Sequence, residues 1–145
     1  MIEQIIIIPR HIQYIPKLEK ELDSKIKSKV YIHNKFGDNL LLFSKSKIVF
    51  MGGSLIEHGG QNPLEALSKG CFILTGIYNK NFKDIYDNLL EMKLCEIFKV
   101  DDLSNIGHKI NGLICQERHL SDTIKKYFIT QQSQLMNIIK EIESC

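Results

Sequence analysis

The chain has 145 residues, the length of one ordinary domain. With 43% hydrophobic and 25% charged residues, its composition is that of a globular protein that can bury a core. The net charge of +2 is small and the lysines are spread along the chain, so nothing favours nucleic acid as a partner.

The four cysteines are widely separated, with no C-x-x-C pair and no histidine set at zinc spacing. They indicate reduced thiols in a cytosolic core rather than a metal site or a disulfide framework. The apolar run Ile5–Ile8 is too short for a membrane span, which needs about 20 residues, and too short for a signal peptide.

In chain order, the isoleucine run ends at Pro9 and predicts a buried parallel strand. Apolar residues three and four positions apart then predict one amphipathic helix, carried by Ile15, Leu18, Leu22 and Ile26. The elements predicted next are a strand at Val30–Ile32, a helix at Asp38–Ser46 capped by Asp38, and a strand at Lys47–Met51.

A glycine-rich stretch follows, and after it Asn62 is a good helix N-cap, with Pro63 at the first helical position and Gly70 just past the end. The elements predicted beyond it are a strand at Cys71–Thr75 ending at Gly76, a helix at Phe82–Met92 and a strand at Glu96–Val100. A helix capped by Asp101 or Asp102 should follow, with Leu103, Ile106, Ile110 and Leu113 as its apolar residues. The last predicted element is a helix from Ser121 to the end, in which a break near Thr130 is left open.

Strands that alternate with helices predict an α/β fold: one Rossmann-like domain over residues 1–145, with a parallel sheet covered by helices on both faces and a helical tail from about residue 121. Ligands bind such sheets beyond the carboxyl ends of the strands. Three segments directly follow predicted strands and should line that edge, namely Pro9-Arg10-His11, Gly52-Gly53 and Gly76.

The stretch from Gly52 to Glu65 is the strongest candidate site. It matches neither a P-loop nor G-x-G-x-x-G, but glycine pairs ahead of a capped helix allow the backbone N–H groups of Gly59, Gly60 and Gln61 to face an anion. The alternative is a surface loop that merely connects strand to helix.

Single side chains near this stretch each have two interpretations. Glu65 could accept hydrogen bonds from a ribose diol, or from the backbone N–H of Asn62 in a capping box. Arg10 could bind a phosphate or simply be exposed to solvent. His58 could donate to a phosphate or a carboxylate, or be exposed to water. The other histidines form no motif and no catalytic machinery is visible; they are His11, His33, His108 and His119.

The glycine stretch resembles the signature of the 3-deoxy-D-manno-octulosonic acid (Kdo) transferases, GGSL-x-x-x-GG-x-NPLE. The matching residues are Gly52-Gly53-Ser54-Leu55, Gly59-Gly60 and Asn62-Pro63-Leu64-Glu65. Three more segments resemble the family in the same order, namely Pro9-Arg10-His11 (P-R-H), Gly37-Asp38 (Gly-Glu) and Gly76 with Asn81-Phe82 (G-P-H-T-x-N-F). The departures are Ile77-Tyr78-Asn79 for Pro-His-Thr, Asp38 for Glu and Gln61 for a common histidine.

The resemblance implies the C-terminal, CMP-Kdo-binding half of a GT-B glycosyltransferase, with no cofactor and no metal. By resemblance, Arg10 binds the donor phosphate, Gly37 and Asp38 lie against the cytidine, and Asn62 and Glu65 contact phosphate or sugar. The backbones of Gly52, Gly53, Ser54, Gly59 and Gly60 would shape the cleft.

The family's N-terminal domain receives the lipid A precursor and carries the catalytic glutamate, and no segment here resembles it. We therefore expect the chain alone to be inactive, and the full enzyme to act at the cytoplasmic face of the bacterial inner membrane in lipopolysaccharide core biosynthesis. Two alternatives stay open: a non-catalytic nucleotide-binding or partner-docking remnant, and the donor domain of another GT-B glycosyltransferase.

Overall fold

The computed structural model describes residues 2–35, 37–99, 101, 106–114 and 120–144. The chain divides into two compact units, one within residues 1–39 and the other within residues 40–145. In each unit the strands pair in parallel and helices connect them. This is the α/β class that the sequence predicts.

The first unit contains a two-stranded parallel sheet. Its elements are β1 (Ile5–Ile7), a 3₁₀ turn (Ile12–Tyr14), α1 (Ile15–Glu21), α2 (Ser24–Lys27) and β2 (Val30–Ile32). Ile5 lies opposite Val30, and Ile7 lies opposite Ile32. The N–H of His33 then donates to the Ile7 carbonyl at 2.9 Å, which extends the contact one residue beyond β2.

The single helix predicted from Ile15 to Ile26 is wrong, because the structure has two helices there. The backbone is extended at Leu22, with ψ of 124°. The Asp23 side chain then accepts a hydrogen bond of 2.8 Å from the N–H of Lys25 and starts α2. A capping carboxylate can thus interrupt a helix whose apolar periodicity continues.

The strand β1 is less buried than its isoleucine run predicts. Ile5 is 37% exposed, and Ile6 and Ile7 are half-buried. A parallel strand is fully buried when strands flank it and helices cover both faces. Among the described residues, β1 pairs with β2 alone.

The second unit is built on a three-stranded parallel sheet. Helix α3 (Asn39–Ser44) begins at the boundary between the units. The elements that follow it are β3 (Ile48–Met51), α4 (Leu64–Ser68), β4 (Phe72–Gly76), a 3₁₀ turn (Lys80–Phe82), α5 (Lys83–Glu91), β5 (Cys95–Phe98), α6 (Ile106–Ile114) and α7 (Leu120–Glu143). The strand order is β3-β4-β5. Thr75 in the central strand lies between Met51 of β3 and Ile97 of β5.

Successive residues of β4 contribute to two cores, as a sheet covered on both faces requires. Ile73 belongs to the larger core with side chains of α4, α5 and α7, while Phe72 and Leu74 join Phe98 and α6 in the smaller one. All five residues of β4 are buried. The predicted parallel sheet with helices on both faces is therefore present in this unit.

The C-terminal elements differ from the prediction at their boundaries. β5 ends at Phe98, whereas Val100 lies outside the described residues. Asp102 and Leu103, assigned to the next predicted helix, also lie outside them, and α6 begins at Ile106.

Helix α7 runs through Thr130 without the break that the sequence left open. Ile124 and Tyr127 are buried near its start, but every residue from 129 to 144 is exposed. The exposed part includes the apolar residues Ile129, Leu135, Met136, Ile138, Ile139 and Ile142. Of the helices described, none is long and apolar enough to span a bilayer.

Candidate functional site

The candidate site lies at the carboxyl edge of the β3-β4-β5 sheet. The glycine loop (residues 52–63) leaves β3 there, and residues 77–82 leave β4. Because Met51 pairs with Thr75, Gly52 and Gly76 stand at the ends of neighbouring strands. Two of the three segments predicted at strand ends thus share one edge, while Pro9-Arg10-His11 follows β1 in the first unit.

Ser54 fixes the start of the glycine loop to the end of β4. Its buried hydroxyl donates to the Met51 carbonyl at 2.5 Å and accepts from the Gly76 N–H at 2.7 Å. The Ser54 carbonyl accepts a further hydrogen bond of 2.9 Å from the Tyr78 N–H. A Cβ at position 76 would overlap the Ser54 carbonyl, so this contact requires glycine.

The second glycine pair packs against the chain that follows β4. The Asn81 N–H donates to the Gly59 carbonyl at 3.1 Å. Gly59 and Gly60 both have positive φ, +87° and +74°. A Cβ on Gly59 would overlap the Asn81 side chain, and one on Gly60 would lie 3.0 Å from the Asn79 Cα. Glycine alone combines this conformation with this close approach.

This glycine pair presents backbone donors. Within the part of the chain that the structure describes, the N–H groups of Gly59, Gly60 and Gln61 have no hydrogen-bond acceptor. The Gln61 carbonyl accepts a hydrogen bond of 2.9 Å from the Tyr86 hydroxyl. Burial raises the pKa of Tyr86 to about 12, so this donor keeps its proton at neutral pH. Consecutive N–H groups on a fixed turn suit an anion.

The Asn62 side chain accepts a hydrogen bond from the start of α4, but Pro63 rather than Asn62 occupies the N-cap position. Its Oδ1 accepts a hydrogen bond of 3.0 Å from the Leu64 N–H. The helix starts at Leu64, so Pro63 precedes it rather than occupying its first position. Because the cap uses the amide oxygen, the Nδ2 group is the donor that Asn62 retains for a ligand.

Glu65 lies in the first turn of α4 and is exposed. In the described part of the chain, its carboxylate makes no capping-box hydrogen bond to the N–H of Asn62. Of the two roles considered for Glu65, the capping box is therefore absent from the structure. Contact with a ligand stays a prediction.

The other predicted site residues belong to the first unit. Arg10 is exposed after β1, and Gly37, with φ of +96°, precedes Asp38 just before α3. Asp38 Oδ2 lies 3.5 Å from Nε2 of the buried His33. His33 belongs to no motif in the sequence. Only its position directly after the predicted strand β2 could have indicated that it lies near a site.

The described cysteines Cys71 and Cys95 are free and buried. Burial raises the pKa of the Cys71 thiol to about 11 and that of Cys95 to about 12. Both therefore remain protonated at neutral pH and are poor nucleophiles. In the ranges the structure describes, no group of three or more His, Cys, Asp or Glu residues could hold a metal ion.

The chain is similar in sequence to curated proteins of two bacteria, among others. It is 36% identical over 81 residues to the 3-deoxy-D-manno-octulosonic acid transferase of Haemophilus influenzae, a match covering 56% of this chain and 19% of that protein. It is 28% identical over 153 residues to a bifunctional glycosyltransferase/methyltransferase of Fusobacterium nucleatum, covering 94% of this chain and 23% of that protein. The chain spans about a fifth of the length of these relatives. No protein-family model matches it.

A solved structure also matches the fold. It is the crystal structure of the C-terminal CMP-Kdo binding domain of WaaA from Acinetobacter baumannii, with a TM-score of 0.69 and 20% sequence identity. The match covers 88% of this chain and 72% of that one. The match to the Haemophilus influenzae protein confirms the predicted resemblance to the Kdo transferases, and the solved structure confirms the predicted fold.

Proposed function

We propose that this chain supplies the donor-binding half of a Kdo transferase and binds CMP-Kdo through its glycine loop. The proposal depends on one observation: the N–H groups of Gly59, Gly60 and Gln61 lack acceptors within the described residues, at the edge where β3 and β4 end. A donor phosphate supplies the acceptor oxygens that they need. Parallel α/β sheets bind their ligands at this edge.

The resemblance adds further residues to the proposed donor site. Arg10 would place its guanidinium on the phosphate through charge-assisted hydrogen bonds, and Glu65 would accept from a sugar hydroxyl. Asn62 would use its Nδ2 group, the donor not required by the helix cap. The proposed donor site comprises Arg10, Gly37, Asp38, Gly52, Gly53, Ser54, Gly59, Gly60, Asn62 and Glu65.

Transfer would break the bond between the anomeric carbon of Kdo and the phosphate oxygen of CMP, while the acceptor hydroxyl bonds to that carbon. Negative charge then grows on the departing phosphate, where fixed N–H donors stabilise it most. The acceptor proton needs a base, which the resemblance assigns to an N-terminal domain that receives the lipid A precursor at the cytoplasmic face of the membrane. We therefore expect the 145-residue chain alone to bind CMP without transferring Kdo.

Calorimetric titration of the chain with CMP and UMP tests the donor-binding role. Preference for CMP, with NMR shifts in the glycine loop, would support the proposal. Binding of neither nucleotide would favour a non-catalytic remnant, and preference for UMP would favour the donor domain of another GT-B enzyme. Kdo transfer by the isolated chain, supplied with CMP-Kdo and lipid A precursor, would contradict its expected inactivity.

A substitution in the loop makes the same test specific. Gly59→Ala forces a methyl group into the space of the Asn81 side chain and should displace the three backbone donors. We expect it to weaken CMP binding. The matched control is Gly112→Ala in α6, where a Cβ would meet no atom within 4 Å.

A further inference from the structure

His33 is the buried residue that directly follows β2. It is 5% exposed, and neither Nδ1 nor Nε2 has a hydrogen-bond partner among the described residues. Buried polar atoms that remain unpaired destabilise a fold. Such a residue therefore calls for a functional or structural explanation.

The His33 ring lies close to Tyr31 and to Asp38. Its backbone is held by the hydrogen bond to the Ile7 carbonyl, and the Tyr31 ring lies beside it, with centroids 6.1 Å apart. Nε2 lies 3.5 Å from Asp38 Oδ2, which is within ion-pair distance but too long for a good hydrogen bond. The Asp38 side chain is 46% exposed, so a dissolved molecule can reach it.

We propose that His33 is a positioning residue that holds the Asp38 carboxylate as an acceptor for a donor group of the bound nucleoside. This inference rests on the proposed function. Nε2–H donates to Oδ2, and Oδ1 accepts an N–H or O–H from the ligand. A small rotation of the half-exposed Asp38 closes the gap on binding, because polar contacts in unliganded sites are often long.

Two groups of a cytidine nucleotide can donate to this carboxylate. One is the exocyclic amine of cytosine, which carboxylates accept in base recognition. The other is a ribose hydroxyl. Uracil carries a carbonyl oxygen where cytosine carries the amine, so a carboxylate facing that position would disfavour uridine nucleotides.

The test compares CMP affinity in the full chain and in His33→Leu, His33→Gln, Asp38→Asn and the His33→Leu/Asp38→Asn double variant. We expect His33→Leu to weaken CMP binding about tenfold, the loss expected for one hydrogen bond to a charged group. His33→Gln should restore most of the affinity, because its amide nitrogen replaces the Nε2 donor. The double variant should bind no more weakly than Asp38→Asn, because the two side chains act as a unit.

Nucleotide analogues separate the two donor groups. An affinity loss in His33→Leu for CMP but not for UMP would assign the contact to the cytosine amine. A loss for both CMP and UMP, with 2′-deoxy-CMP insensitive to the substitution, would assign it to the ribose.

Equal CMP affinity of the unaltered chain and His33→Leu would overturn the role of His33 and leave the donor site standing. If the unaltered chain binds no CMP, both the role of His33 and the proposed donor-binding function are overturned. If His33→Leu does not fold, Asp38→Asn decides, because it changes a half-exposed side chain at constant size. Unchanged CMP affinity in Asp38→Asn would then overturn the inference.

Discussion

The Ser54 hydroxyl accepts a hydrogen bond of 2.7 Å from the Gly76 N–H, and both residues are buried. This bond ties the loop that leaves β3 to the last residue of β4. The shape of the glycine loop therefore depends on the central strand of the sheet as well as on the loop's own residues.

Gly76→Ala should destabilise the fold, because its methyl group would overlap the Ser54 carbonyl. We expect the free energy of unfolding to fall by about 1 to 3 kcal/mol, the usual cost of overpacking a buried position. Urea denaturation would measure it. Gly52→Ala is the matched control: position 52 is exposed and a Cβ there meets no atom within 4 Å. Equal midpoints for the two variants would show that the Ser54 contact does not constrain the loop.

Asn62 should separate helix capping from nucleotide binding. Asn62→Ala removes the acceptor for the Leu64 N–H and should cost about 1 kcal/mol of stability. Asn62→Asp keeps that acceptor and the stability, but it replaces the Nδ2 donor with negative charge and should weaken CMP binding. Thermal denaturation and calorimetry report the two effects. The control is Asp23→Ala, which removes the cap of α2 and should lower stability without changing CMP affinity. Equal CMP affinity of Asn62→Asp and the unaltered chain would exclude Asn62 from the site.

Arg10→Ala and Glu65→Ala should each weaken CMP binding about tenfold, since each removes a charged hydrogen-bonding group. The controls are Lys17→Ala and Glu91→Ala, which remove the same charges from exposed positions in α1 and α5. Calorimetric titration of all four variants with CMP compares their affinities. Affinities that match the controls, with the fold intact, would remove both side chains from the donor site.

The buried thiols should make stability depend on alkaline pH. Burial raises the pKa of Cys71 from 9.0 to about 11 and that of Cys95 from 9.0 to about 12. Between about pH 9 and 11 the unfolded chain loses thiol protons that the folded chain keeps, so the free energy of unfolding falls as pH rises. Below that interval these thiols add no pH dependence.

Urea denaturation at several pH values, compared between the unaltered chain and Cys71→Ala/Cys95→Ala, measures this effect. The double variant should show a shallower loss of stability above pH 9, whatever its stability at pH 7. Identical slopes would mean that the thiols titrate normally in the folded chain.

Features encoded by neighbouring residues were predictable from sequence. The start of α4 near Asn62 and the glycine loop depend on local backbone preferences, and β4 follows from a short apolar run that ends at Gly76. The helix break after Leu22 was missed because apolar periodicity continues through it, while the Asp23 side chain captures the N–H of Lys25. At this position the capping hydrogen bond, rather than the apolar periodicity, determines where the helix ends.

Contacts between distant residues could not be predicted in this way. The Tyr86 hydroxyl meets the Gln61 carbonyl only once α5 packs on the sheet. The approach of His33 to Asp38 spans only five positions, but no motif in the sequence marks it. No spacing of residue types in the chain encodes either contact.

The four glycines of the loop set different limits on mutational tolerance. At Gly59 and Gly60 both the positive φ and the available space exclude a side chain, and at Gly53 the φ of +72° disfavours one. At Gly52 neither restriction applies. In a saturation scan, side chains at position 52 that abolish nucleotide binding while leaving the fold intact would therefore mark the closest approach of the bound ligand.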